Sequence, residues 1–265
     1  MTHKLPVGLA GLALLVVGLV AWRGTDHGTA ADAQPAAPVL PANDFELLVQ
    51  HTARLLRTTL DDLPKADAKE QKLAVTKARV AALMLAACAQ YTAKGDNAGQ
   101  VAAVQPLALQ VAADLQAGQF DAAKKNAALL TSAKGQPAPL AKVDYAKLME
   151  LDELMRPFEQ VQKGGLDFER TLLLLVSTGR KGKALPDKAM DDQLVFLAYQ
   201  TAVAGELTKL YTPTMKPEEW KALCDQMSQS ALELGQAVKA KDGKAGYAAL
   251  RALNQSCDKC HEVYR

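Results

Sequence analysis

The stretch Leu250-Arg251-Ala252-Leu253-Asn254-Gln255-Ser256-Cys257-Asp258-Lys259-Cys260-His261-Glu262-Val263-Tyr264-Arg265 governs the reading of everything before it. Leu250, Leu253, Cys257, Cys260 and Tyr264 recur in alternating steps of three and four, which lines one face of an α-helix. Arg251, Gln255, Asp258, Lys259 and Glu262 fall between them and supply a polar face. The spacing predicts a helix over 243–264, entered through the turn residues Asp242-Gly243. Its apolar seam needs partner helices to cover it.

Those partners are found by working backwards. Helical spacing predicts helices near 167–180, 187–210 and 216–240, with Pro186 and Pro217 where proline suits a first turn. The same plan occurs earlier, near 44–61, 66–94, 98–118 and 120–134, broken at Pro64, at Gly95-Asp96-Asn97 and at Ala117-Gly118-Gln119. The two regions also share residues in order. Asp44-Phe45-Glu46 recurs as Asp167-Phe168-Glu169, Leu63-Pro64 as Leu185-Pro186, Tyr91-Thr92 as Tyr211-Thr212, and Ala128-Leu129 as Ala252-Leu253. The offset stays between 120 and 124 residues, so the pattern reads as a duplication. Short connections favour antiparallel neighbours. The expectation is an all-α chain of two tandem four-helix bundles, each up-down-up-down, over 44–134 and 167–265. Residues 135–166 join them. Gly135, Pro137 and Pro139 mark a linker, and Leu148, Leu151, Leu154, Met155 and Phe158 predict a connecting helix within 144–162, kinked or ended by Pro157.

Composition agrees with a helical protein. Apolar residues make up 49% of the chain, charged residues 23% and aromatics only 5%, with Ala, Leu, Lys and Gln abundant. A net charge of +2 gives no basis for a nucleic-acid partner. The N-terminus is different in kind. Lys4 and Arg23 flank 18 residues, Leu5 to Trp22, without a charge. That is near the lower end of the roughly 17–25 residues a spanning helix needs. Residues 1–23 therefore read as a signal peptide, with Ala31-Asp32-Ala33 as a cleavage site, or as an uncleaved membrane anchor. Either reading puts the folded part in the periplasm or on the outer face of the cytoplasmic membrane. Residues 24–43, rich in Ala, Pro, Thr, Gly and Asp, read as a flexible tether.

Cys257-x-x-Cys260-His261 carries the chemistry. C-x-x-C-H is the signature of c-type haem attachment. Thiols at i and i+3 share a helix face and reach one edge of a porphyrin, where each forms a thioether with a vinyl-derived carbon. His261, four residues after Cys257, shares that face and reaches the iron. Three other readings remain. A Cys257–Cys260 disulfide suits an oxidising compartment. Zinc needs a fourth ligand, and His51 is the other histidine in the folded part. A redox-active C-x-x-C usually opens a helix beside a sheet, and no sheet is expected.

A CxxCH at the end of the last helix of a four-helix bundle resembles the cytochrome c′ family. Asn254 to Arg265 looks like that family's closing segment, with an aromatic and a basic residue, Tyr264 and Arg265, after the motif. The resemblance implies one covalent haem c, His261 as axial iron ligand, and Arg265 beside that face of the haem. Six-coordinate relatives supply a methionine from the first helix. The helix 167–180 has neither Met nor His, and Leu172 to Val176 offer apolar bulk, so a five-coordinate iron is expected, with Met155 as the alternative distal ligand. The first repeat departs from the pattern. Ala133, Gln136 and Pro137 stand where Cys257, Cys260 and His261 stand, so residues 44–134 are expected to be haem-free.

Cys88 and Cys224 read as buried free thiols, with a disulfide linking the two bundles as the alternative, and His51 as a surface or interface residue. No nucleophile triad, phosphate loop or carboxylate pair has catalytic spacing, so a non-enzymatic role is expected. Three roles follow: electron transfer with a redox partner protein, binding of NO or CO at a vacant iron site, or recruitment of a partner at the membrane by the haem-free bundle. Members of the resembled family often form homodimers through helix faces.

Overall fold

The helices start where side chains can satisfy free backbone N–H groups. In a computed structural model that describes residues 40–63, 66–179 and 184–264, Asp67 accepts from the N–H of Lys69 and Glu70 at 2.8 and 2.9 Å, and Glu70 accepts from the Asp67 N–H. This reciprocal cap opens α2, Ala68–Gln90. Asp191 caps α7, Asp192–Thr208, by accepting from the Leu194 N–H at 2.9 Å. Pro217 occupies the first turn of α8, Pro217–Lys239. The Asp242 carboxylate accepts from Lys244 and Ala245 N–H at the start of α9, Gly243–Tyr264. The remaining helices are α1, Phe45–Asp62; α3, Ala98–Gln116; α4, Phe120–Leu129; α5, Leu151–Met155; and α6, Phe168–Gly179. Gly118, at φ +71°, turns the chain from α3 into α4, a conformation that suits a residue without a Cβ. Eight of these helices fall close to the predicted spans, and no strand forms among the described residues, apart from one isolated bridge between Leu40 and Thr92.

The predicted N-terminal segment 1–23, the cleavage site at 31–33 and most of the tether lie outside the described residues, as do Pro64 and Arg265. The end of the tether is packed. Leu40 is buried and exchanges hydrogen bonds with the Tyr91 carbonyl and the Ala93 N–H, at 3.0 and 2.8 Å, before a 3-10 turn at Ala42–Asp44.

Packing divides the helices into two groups within one compact unit. In the first, α1 packs on α2, α2 on α3 and α3 on α4, and α4 closes back on α1. Phe45, Leu48, Leu56, Leu85, Val104 and Leu115 fill this ring. In the second, α7 packs on α8 and α8 on α9, while the extensive contact of α6 is with α9. The groups meet where α7 lies on α1 and α2. At that junction the His51 and Phe196 rings stack with centroids 5.0 Å apart. Asp44, only 4% exposed, accepts from the Tyr199 hydroxyl at 2.7 Å and pairs with Lys239. Buried charge is tolerated there because it is paired.

The connecting segment differs from the single predicted helix. Only Leu151–Met155 is α-helical, with 3-10 turns at Tyr145–Lys147, Arg156–Phe158 and Val161–Lys163. Pro157 has no N–H to continue the ladder, and Gly164 at φ +87° ends the run. Tertiary bonds replace the missing helical ones. Arg79 donates to the Leu148 carbonyl at 2.8 Å and pairs with Glu153, Gln105 bonds Ala141 twice at 2.9 and 3.1 Å, and Tyr211 donates to the Met149 carbonyl at 2.6 Å.

Candidate haem-attachment site

The tail of α9 is built from its buried seam outward. Tyr247, Leu250 and Leu253 are buried on α9, which packs on α8 and α6, and Ser256 follows them, its hydroxyl donating to the Leu253 carbonyl at 2.7 Å. Cys257 continues the seam, half-buried against the core. Cys260 is half-buried one turn on, and His261 is exposed. Beyond them Tyr264 lies edge-on to Trp220 of α8, centroids 4.9 Å apart, and donates to the Lys216 carbonyl at 2.8 Å. Trp220 in turn donates to the Thr208 carbonyl at 3.1 Å. The motif is therefore held at both ends, by the core on one side and by an aromatic clasp on the other. That clasp escaped the sequence reading, although Tyr264 already lay on the seam and Trp220 in the first turn of α8.

Both motif thiols are free. Burial pushes the Cys257 thiol up to about 11; the Ser256 bond opposes this, and Cys260, Asp258 and Glu169 of α6 add to it. Burial also raises the Cys260 thiol. A redox-active C-x-x-C works through a stabilised thiolate, and the environment of this pair does the reverse. Among the described residues no three or more His, Cys, Asp and Glu side chains gather to hold a metal ion, so the ligand set zinc needs is not assembled there.

The neighbouring helix offers an apolar surface. On α6, Phe168 and Leu172 are buried and Leu175 and Val176 half-buried, but Leu173 and Leu174 are 48% and 57% exposed. Free thiols on one face, an imidazole one residue on, and unsatisfied apolar surface on the helix packed against α9 fit a flat, largely apolar group fixed by two thioethers and one nitrogen.

The other predicted residues fall as follows. Met155 is half-buried on α5, which packs on α2 and α7; α9 itself packs on α8 and α6. Arg265 lies outside the described residues. Cys88 and Cys224 are buried and free, their thiols pushed up to about 12 chiefly by burial. Ala133, Gln136 and Pro137 sit past the 3-10 turn Leu130–Ser132 in non-helical backbone, so they share no helix face.

A family model described as Cytochrome C′ matches residues 209–265. The match takes in α8, α9 and the whole motif, a narrower span than the 167–265 on which the resemblance was read. No curated protein and no solved structure matches the chain.

Proposed function

We propose that the chain carries one haem c on α9 and serves as an electron-transfer protein outside the cytoplasmic membrane. The observation that carries this reading is the pair of free, half-buried thiols with His261 on one helix face, within the segment similar to cytochrome c′. Cys257 and Cys260 would hold the porphyrin edge and His261 the iron. The bound group supplies a one-electron ferric–ferrous couple.

The polypeptide does the rest. The α8–α9 interface keeps the motif helix rigid, which fixes the direction of the three attachment side chains. Leu173 and Leu174 exclude water once covered; fully burying a leucine contributes roughly 1.5–3 kcal/mol, and about half of that remains to be gained at these two positions. Residues 1–23 would direct export or tether the chain, and the partner would be another redox protein. The deciding measurement is the absorption spectrum and mass of protein made with haem-attachment machinery. A c-type spectrum with one haem per chain is expected, and colourless protein with the mass of the polypeptide alone would overturn the proposal.

One observation favours a second reading. The helix beside the motif offers leucines and no Met or His, so nothing on α6 competes for a sixth iron position. Binding of NO or CO would follow. A high-spin spectrum that changes when NO is added to reduced protein supports it, and a stable low-spin spectrum rules it out.

A further inference from the structure

The last turn of α9 carries His261 and ends at Tyr264. A helix's final turn leaves its last carbonyls without intrahelical partners and opens more easily than its middle. An iron ligand placed there needs something to steady it. A ligating histidine usually gains its direction from a partner for its second ring nitrogen. The exposed His261 ring has no hydrogen-bond partner among the described residues, so its direction is set by the turn beneath it. Tyr264 holds that turn from the side. Its hydroxyl donates to the Lys216 carbonyl at 2.8 Å, and its ring lies edge-on to Trp220. The receiving end is itself fixed. Lys216, the residue before Pro217, stands at φ 52°, ψ 52°, a left-handed conformation that is costly for a side chain with a Cβ. Such a conformation persists only where its surroundings hold it. Here the Lys216 carbonyl accepts twice, from the Trp220 backbone N–H at 3.1 Å and from the Tyr264 hydroxyl. The Lys216 ammonium pairs with Glu219 at 2.9 Å, and Trp220 is 5% exposed with its indole N–H on the Thr208 carbonyl at the end of α7. Tyr264 therefore ties the free end of α9 to the first turn of α8 and, through Trp220, to α7. It follows His261 by three residues, so the two side chains leave one face of the same turn.

We propose that Tyr264 is a positioning residue: its bond to Lys216 and its contact with Trp220 keep the last turn of α9 closed, and so fix the direction in which the His261 imidazole leaves the helix. The latch itself stands on the contacts between α8 and α9. Only its effect on the iron rests on the haem reading. Its two parts separate by substitution. Tyr264→Phe keeps the ring on Trp220 and loses the hydroxyl, whereas Tyr264→Ala loses both.

The first arm of the test follows amide hydrogen exchange in the full chain made without haem-attachment machinery. Tyr264→Phe should speed exchange over 258–264 by roughly two- to tenfold, the range one hydrogen bond carries, and Tyr264→Ala by more. Exchange over 247–253, in the buried middle of α9, should keep the parent's rate. Parent-like exchange over 258–264 in Tyr264→Ala overturns the latch. Equal acceleration along all of α9 overturns it too, because Tyr264 would then hold the whole helix and not its end. The second arm uses haem-loaded protein and reads the iron–histidine vibration of the reduced form. Tyr264→Ala should shift or broaden that band, with Tyr264→Phe between it and the parent. A parent-like band in Tyr264→Ala sinks the positioning step. If exchange responds as expected but no chain takes up haem, the positioning step falls with the haem reading and the latch stands.

Discussion

Helices α1 and α6 begin on the same Asp-Phe-Glu triplet and end in different surroundings. On α1, Phe45, Leu48, Val49, Ala53, Leu56 and Leu60 are all buried, because α2 and α4 cover them. On α6, Phe168 and Leu172 are buried, and the next two leucines face water. Their last helices differ in the same sense. α4 is 10 residues long and gives way to a 3-10 turn, whereas α9 runs for 22 residues and carries its motif in the last two turns. The first group covers the apolar face of α1, although Phe120 and Leu129 of its α4 are 42% and 48% exposed. The other leaves Leu173 and Leu174 exposed on α6, the helix packed on the one that carries the two free thiols. On the proposed reading, the first group serves as a scaffold and the second as a site that a haem would complete.

The most severe way to probe this contrast is to remove or transplant the motif. Replacing Cys257 and Cys260 with Ser is expected to abolish covalent haem, read as loss of the added mass and of the visible spectrum. Installing Ala133→Cys, Gln136→Cys and Pro137→His together is expected to add none, because the backbone after Ser132 is not helical and the three side chains share no face. Two haems in that variant would show that the groups differ in sequence alone.

Packing gives the next largest effect. Leu48→Ala in the closed ring should cost about 3 kcal/mol, the range for a buried leucine whose cavity does not collapse. Leu174→Ala in the haem-free chain should stay within about 0.5 kcal/mol. Urea unfolding of both variants decides it. Equal costs would mean that the second group is as closed as the first. In haem-loaded protein the cost of Leu174→Ala should rise.

The paired aspartates differ too. Asp44 sits at φ −102° and is bonded to Tyr199 and Lys239, while Asp167, which opens the second Asp-Phe-Glu triplet, is in the left-handed region at φ +59° with Oδ1 unpartnered. Asp44→Ala strands a buried hydroxyl and an ammonium that is itself 44% exposed, so roughly 2 kcal/mol should be lost. Asp167→Asn, which keeps a side chain tolerant of that backbone, should change stability by less than about 0.5 kcal/mol. Comparable losses at the two sites would mean that the two positions share a role as well as a residue.

Much of this was legible beforehand, and the reasons are local. Helix bounds follow from caps such as Asp67, Asp191 and Asp242 and from strong helix formers, which act within a few residues. The motif is contiguous, so its spacing is visible in the chain. The Asp44–Tyr199–Lys239 junction joins positions far apart in sequence, and no periodicity announces it. Helix 144–162 failed because its apolar spacing is real, but Pro157 and Gly164 break the ladder and tertiary bonds from Arg79, Gln105 and Tyr211 hold the pieces. Leu40, read as tether, packs because a single buried leucine pairing with the Tyr91–Ala93 backbone leaves no compositional trace.

The gentlest test addresses the junction between the two groups. Burial against α7, then the charge of Arg54, lowers the His51 pKa below the usual 6.5, and Gln193, Asp192 and Asp191 pull it back without prevailing. The folded chain thus prefers the neutral ring stacked on Phe196. For a depressed basic group the sign is fixed: its contribution is fully present above 6.5 and is lost as pH falls through the lowered folded value, because protonation then favours the unfolded chain. A small fall in Tm below pH 6.5 is expected, and His51→Gln should remove that part of the slope while leaving carboxylate-driven acid unfolding in place. The ring is partly exposed, so the effect should be the smallest of the four. An unchanged slope in His51→Gln would mean that the stacked ring does not sense the junction, and that Asp44 and the apolar contacts of α7 alone hold the scaffold to the site.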